Sequence, residues 1–236
     1  MLAIATLRSP ESLTGQLDTS FSGDGKTTVA FDLGDINRVD QATAVAIGRD
    51  GKIFVGGSAF DSAVNASRIG LTQLLPSGGT DLIFCVGSCN LQGAYTAIHS
   101  GRRVSAFDMN APKIDLLTTI ALDRTGRAYF SGTTPGTQSG GGPNTDTFFA
   151  QRFEDNLAPG ANNWGNVGPS NSAILWDGPG GGPSVPAKSS IDPQGRILLA
   201  GNYKAAGILY AAVISRSTFV PGVVFLRPNV IFRTNF

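Results

Sequence analysis

The sequence predicts an all-β, propeller-like fold: three four-stranded blades, with a partial blade contributed by the N- and C-terminal strands. Three observations carry that expectation. Turn formers crowd the chain, with 31 Gly and 13 Pro in 236 residues, while Lys occurs five times and Glu only twice, at Glu11 and Glu154. Helices need the residues that are scarce here, and tight turns need those that abound. A twelve-residue segment is written three times without a gap, at 46–57, 121–132 and 190–201. Matching apolar strands precede and follow each copy at nearly constant distance, and repetition of this kind is the signature of stacked or radial units.

Each repeated segment reads as a β-hairpin. An apolar stretch leads to a two-residue turn ending in Gly (Gly51, Gly126, Gly195), then a cation (Lys52, Arg127, Arg196), an apolar triplet and a closing Gly (Gly57, Gly132, Gly201). Glycine at the turn supplies a positive φ, and the β-branched and aromatic residues on either side suit strands. Upstream, Thr28 to Asp32, Val104 to Asp108 and Ala173 to Asp177 each end in an aromatic residue followed by Asp. These Asp residues stand 19, 18 and 18 residues before the turn Gly. Downstream, Arg68 to Gln73, Phe148 to Phe153 and Tyr210 to Ser215 read as a fourth strand in each copy. Four strands per unit is the make-up of a propeller blade. The turn glycines lie 75 and 69 residues apart, long for a blade, and the Gly-rich stretches 136–143 and 178–183 are where loops absorb the excess. One repeat domain covers 1–236, with units at about 17–92, 93–165 and 166–222 and the terminal strands 1–16 and 223–236 in an incomplete blade.

In Leu17 to Lys26, Ala44 to Ile47 and Asp50 to Gly57 the chain resembles the delta sixty repeat proteins of bacterial cell surfaces and secretions. The later copies depart from the pattern, with Thr125 and Gln194 in place of the Asp before the turn Gly. The resemblance implies a propeller-like β fold and an extracellular or cell-surface setting. It implies little about activity, because the family is defined by a repeat.

The ends extend the pattern. Ala3 to Arg8 reads as a fourth strand lacking its first three, and Val223 to Leu226 with Val230 to Phe232 as a first strand lacking the rest. Either the terminal strands pair to close a small ring, or two chains join as a homodimer into a larger propeller, since unpaired apolar edges associate. Met1 to Leu7 is apolar but has no basic residue before it and is too short for a secretory signal, so no export signal is expected within the chain. With net charge +1, 15% charged residues and no basic stripe, nucleic acid is not an expected partner. No apolar run approaches the length of a membrane-spanning helix, the longest being 207–214 and 219–226.

Equivalent positions of repeated blades gather around one axis, so Asp32, Asp108 and Asp177 are candidates for a carboxylate ring that would hold Ca²⁺. The alternative is that each caps its own turn. His99 is the sole histidine and the one candidate general base of its type; Ser100 beside it is a poor partner, because neighbours on extended chain point apart. No G-x-S-x-G nucleophile elbow occurs. Ser20 to Thr27 imitates a phosphate-binding loop but has Ser20 where the first Gly belongs and runs into a strand. Asp35 to Asp40 imitates part of a calcium loop, with Val39 and Asp40 where a ligand and a Gly are needed. Among Trp164, Trp176, Tyr95 and Tyr203, only Trp164 has loop-like neighbours and is the candidate ligand-binding aromatic; Trp176 takes the repeat position of Phe31 and Phe107. Cys85 and Cys89 read either as a small-loop disulfide or as two separate thiols.

Two functions follow as expectations. The first is a non-enzymatic module of an exported bacterial protein that presents loops to a carbohydrate, protein or small-molecule partner. The second is a calcium-assisted hydrolase of a small ester or lactone, with His99 as base beside the Asp32, Asp108 and Asp177 site.

Overall fold

The computed structural model describes residues 2–5, 16–33, 39–84, 101–105, 114–135, 146–152, 173–176, 184–195, 197–205, 208–216 and 221–225. These form fourteen strands and, among the described residues, no helix: β1 (Leu2–Ala5), β2 (Lys26–Val29), β3 (Asp40–Ile47), β4 (Ile53–Asp61), β5 (Ala66–Leu74), β6 (Arg102–Ser105), β7 (Leu116–Leu122), β8 (Ala128–Pro135), β9 (Asp146–Arg152), β10 (Ala173–Trp176), β11 (Ser184–Ile191), β12 (Ile197–Ala205), β13 (Ile208–Arg216) and β14 (Pro221–Phe225). They build three antiparallel four-stranded sheets, ordered β3-β4-β5-β6, β7-β8-β9-β10 and β11-β12-β13-β14, beside a two-stranded sheet β1-β2. None of the sheets closes on itself.

The sheets are cut differently from the sequence units. The aromatic-Asp strand that opens each copy is the outermost strand of the sheet before it: β6 pairs with β5 and β10 with β9. The hairpin and the strand after it form a three-stranded antiparallel meander, and the far edge of the third strand is then completed from the next copy. At the chain ends β1 pairs with β2 and β14 with β13, so among the described residues the first and last strands lie in different sheets; Val230 to Phe232 lie outside the described residues.

The hairpin turns explain the first invariant glycine. Gly51, Gly126 and Gly195 have φ of 78°, 89° and 77°. In the first two copies the loop holds three residues, not two: Gly51 N donates to Gly48 O and Gly48 N to Lys52 O, and the same pair of bonds recurs between Asp123, Gly126 and Arg127. This is a three-residue hairpin loop whose last residue must be left-handed.

The closing glycine has a separate cause. The first strand of each four-stranded sheet carries a β-bulge at the same repeat position, skipping Thr43, Thr118 and Ala187. The bulge drives the backbone of the inner strand onto its neighbour. A Cβ on Gly57 would lie 1.8 Å from Gln41 O, and one on Gly132 would lie 1.8 Å from Leu116 O. Only hydrogen fits there. The Thr118 hydroxyl donates to the facing strand at Ser131 O (3.2 Å), and the Thr43 hydroxyl oxygen lies 3.4 Å from Gly56 O.

Successive sheets pack face to face through their inner strands, β3 against β7 and β7 against β11. Hydrogen bonds tie the rows: the Thr43 hydroxyl donates to Leu117 O at 2.7 Å, and Thr119 Oγ1 lies 2.9 Å from Ser189 Oγ. Between the first two four-stranded sheets lie Ile69, Leu71, Phe84, Leu117, Ile120, Ala128 and Phe130. On the other face of the first sheet, Ile53, Val55, Leu74 and Val104 meet Phe21, Val29, Phe31 and Leu33 from around β2. Arg102 reaches across to donate to Ala30 O, fastening the small sheet to its neighbour. Burying a row of such side chains contributes about 1.5–3 kcal/mol each, ahead of any single hydrogen bond.

Candidate functional site

The repeat brings three hairpin turns, one from each four-stranded sheet, to a common mouth. Because β3, β7 and β11 stand side by side, the turns at their ends converge on one cleft of about 320 Å³. Its lining falls into repeat-equivalent sets: Ile47, Leu122 and Ile191 are apolar, Gly48, Asp123 and Asp192 open the turns, and Arg49, Arg124 and Pro193 follow. The structure thus assembles from three copies a concavity that none of them contains.

The turn carboxylates are built into the loops. Asp123 Oδ1 accepts from Thr125 N (2.8 Å), Thr125 Oγ1 (2.7 Å) and Arg127 N (3.0 Å), and Asp123 Oδ2 accepts from Arg127 Nε at 2.6 Å. Burial pushes the Asp123 carboxyl up, but the hydrogen bonds from Thr125 and Arg127 outweigh it and hold the group below its ordinary value. In the third copy Asp192 Oδ1 accepts from Gln194 N at 3.0 Å. The cation after the turn Gly is likewise structural: Arg127 pairs with Asp123, and Lys52 reaches the buried Asp81 at 2.7 Å. Arg49 and Arg124 are exposed at the rim, and among the described residues neither has an ion-pair partner. Their guanidinium N–H groups are the donors the cleft offers to a ligand.

Of the residues singled out in the sequence, Asp32 follows β2, is exposed and has φ of 51°. It is not among the described lining residues of the cleft. Phe31 before it is buried, its ring filling the space over Gly70, where a Cβ would come within 3.0 Å. His99, Asp108, Trp164 and Asp177 lie outside the described residues, as do Cys85 and Cys89. Among the described residues no three His, Cys, Asp or Glu side chains gather as a metal site. No described helix is long and apolar enough to cross a membrane. Ser20 to Thr27 is the repeat's turn: Asp18 Oδ1 accepts from Ser20 N, Asp24 Oδ1 accepts from Lys26 N, and the segment runs into β2. Asp40 Oδ2 accepts from Phe31 N at 2.9 Å, a tie within the fold.

Sequence reasoning fixed on the cation after each turn Gly and passed over the residues ahead of it. The signal was present, since Arg49 and Arg124 occupy one column of the repeat. A layer of buried charge was missed as well: Asp61, Arg68, Arg103 and Asp115 are each at most 2% exposed, and burial draws the Arg103 guanidinium from 12.5 down to about 9. These groups are engaged by neighbours and belong to the scaffold.

No protein-family model matches the chain, and no curated protein matches it with significance.

Proposed function

We propose that this chain is a non-enzymatic binding module of an exported bacterial protein, an arc of propeller-like blades whose ligand seat is the mouth formed by the three hairpin turns. The observation that carries this reading is the convergence of repeat-equivalent turns from separate sheets on one cleft of about 320 Å³. That volume suits a small ligand or the end of a larger one. Donors from Arg49 and Arg124 beside the apolar trio Ile47, Leu122 and Ile191 together match a saccharide end, which presents hydroxyls beside C–H faces. The delta sixty resemblance supports the cell-surface or secreted setting and adds nothing on the ligand.

The experiment is a glycan array probed with the purified chain, followed by titration of the best saccharide against wild type, Arg49→Ala and Arg124→Ala. Both arginines are exposed, so the variants keep the fold. Saturable binding weakened about tenfold or more by either substitution supports the reading, since a hydrogen bond from a charged donor is worth roughly 1.5–3 kcal/mol. Binding that both variants leave unchanged, or no binding on the array, overturns the assignment of the mouth.

A further inference from the structure

We propose, resting on the reading of the mouth as a saccharide seat, that its ligand is an acidic sugar whose carboxylate or sulfate is held by Arg49 and Arg124. The two arginines follow strands of separate sheets, occupy one column of the repeat and line one cleft of about 320 Å³. Both are exposed, and among the described residues neither has an ion-pair partner. Like charges lining one small cavity repel each other, and an anion seated there relieves them.

The acceptors around the two arginines are already committed to the turns. The residue that opens each turn gives its carbonyl to the turn glycine: Gly48 O, Asp123 O and Asp192 O accept from Gly51 N, Gly126 N and Gly195 N. Asp123 uses both carboxylate oxygens inside its own loop and is ion-paired with Arg127. Asp192 Oδ1 accepts from Gln194 N. The first copy has no carboxylate in that column, because Gly48 stands there. Asp50 Oδ1 lies 2.6 Å from where a Cβ on Gly48 would be, and it accepts from Lys52 N at 3.1 Å. The Lys52 ammonium is engaged in turn by Asp81. The mouth therefore offers charged donors with few acceptors to match. A guanidinium only donates, whereas a sugar hydroxyl both donates and accepts, so a neutral sugar would leave O–H groups short of acceptors. A carboxylate or sulfate only accepts, and guanidinium groups satisfy it with charge-assisted hydrogen bonds. Ile47, Leu122 and Ile191 then meet the C–H face of the ring.

NMR titration of the full chain tests it, with the methyl glycosides of glucose and galactose, the corresponding uronic acids and the corresponding 6-sulfates as ligands. At least one acid is expected to bind about tenfold tighter or more than its neutral counterpart, and the tighter series, uronic acid or sulfate, identifies the charged group. Arg49→Gln combined with Arg124→Gln removes both charges at exposed positions and is expected to bring the acid-to-neutral affinity ratio to within about twofold of one. Lys26→Gln removes the charge of an exposed cation outside the lining and should leave the ratio as in wild type. Neutral sugars bound as tightly as both acids would overturn the acidic ligand and leave the saccharide seat standing. A preference for acid that survives the double substitution would overturn the assignment to the two arginines. Failure of all six sugars to bind would overturn the seat and the acidic ligand together.

Discussion

Replacing Gly57 with Ala isolates the bulge from every other feature of the hairpin. On an ordinary strand Gly→Ala is neutral or stabilises by about 0.4–1 kcal/mol, because the unfolded chain loses freedom. Gly57 is not in the left-handed region, so its backbone tolerates Ala. The obstacle is contact alone: the new Cβ would sit 1.8 Å from Gln41 O and 2.9 Å from Ala42 Cα, where real Cβ atoms essentially never come within 3.0 Å. The neighbours are backbone and cannot rotate away, so β3 and β4 must part at the bulge. Two ladder hydrogen bonds at about 1 kcal/mol each, plus about 1–3 kcal/mol of overpacking, give a cost of roughly 3–5 kcal/mol. For a chain of this size that is a fall in Tm of roughly 6–20 °C. Gly132→Ala should cost the same, since its Cβ meets Leu116 O at the same 1.8 Å. Gly79→Ala is the control, with nothing nearer its Cβ than Ser77 Oγ at 4.0 Å. Urea denaturation followed by circular dichroism measures all three. Losses below about 1 kcal/mol at Gly57 and Gly132 would refute the bulge argument.

Further outcomes follow from the turns and the ties between sheets. Gly195→Ala should cost about 1–2 kcal/mol, because φ is 77° and no atom lies within 4 Å of its Cβ, and Gly195→Asn should cost less; urea midpoints compare them. Thr43→Val removes the donor to Leu117 O and should cost about 1 kcal/mol by the same measurement, more than Thr118→Val, whose hydroxyl bond is the longer at 3.2 Å. The folded Asp123 carboxyl ionises below its ordinary 3.8, so its stabilising contribution is present above that value and is lost as pH falls through the lowered folded pKa. Asp123→Asn should therefore flatten that part of the acid limb in a series of urea midpoints, and an unchanged slope would contradict the assignment.

How far these features could be read from the residues depends on the range of the interactions behind them. The turn glycines were legible because a left-handed residue closing a hairpin is a local demand that Gly51, Gly126 and Gly195 announce together. The closing glycines were visible as a column but not as a cause, since Gly57 answers to a carbonyl brought over by a bulge at Thr43. Nothing in the order of residues says that Arg102–Ser105 completes the sheet before it, because that pairing is decided by which edge is free. The buried Arg103 has no local signature either, lying in a short strand beside the partly buried Arg102. The cleft is the clearest case: its lining is spread over three turns, and only the packing of β3 beside β7 and β7 beside β11 makes it one place.

The central claim is that the inner strands of successive sheets stand side by side and so bring their turns to one mouth. Cysteines at Thr119 and Ser189, whose hydroxyl oxygens are 2.9 Å apart, test it in a Cys85→Ser, Cys89→Ser background. Mild oxidation of the folded protein should close a disulfide between β7 and β11 in nearly every molecule, read as loss of free thiols and confirmed by peptide mass. Free thiols persisting in a folded chain under the same oxidation would contradict the arrangement of strands on which the shared mouth depends.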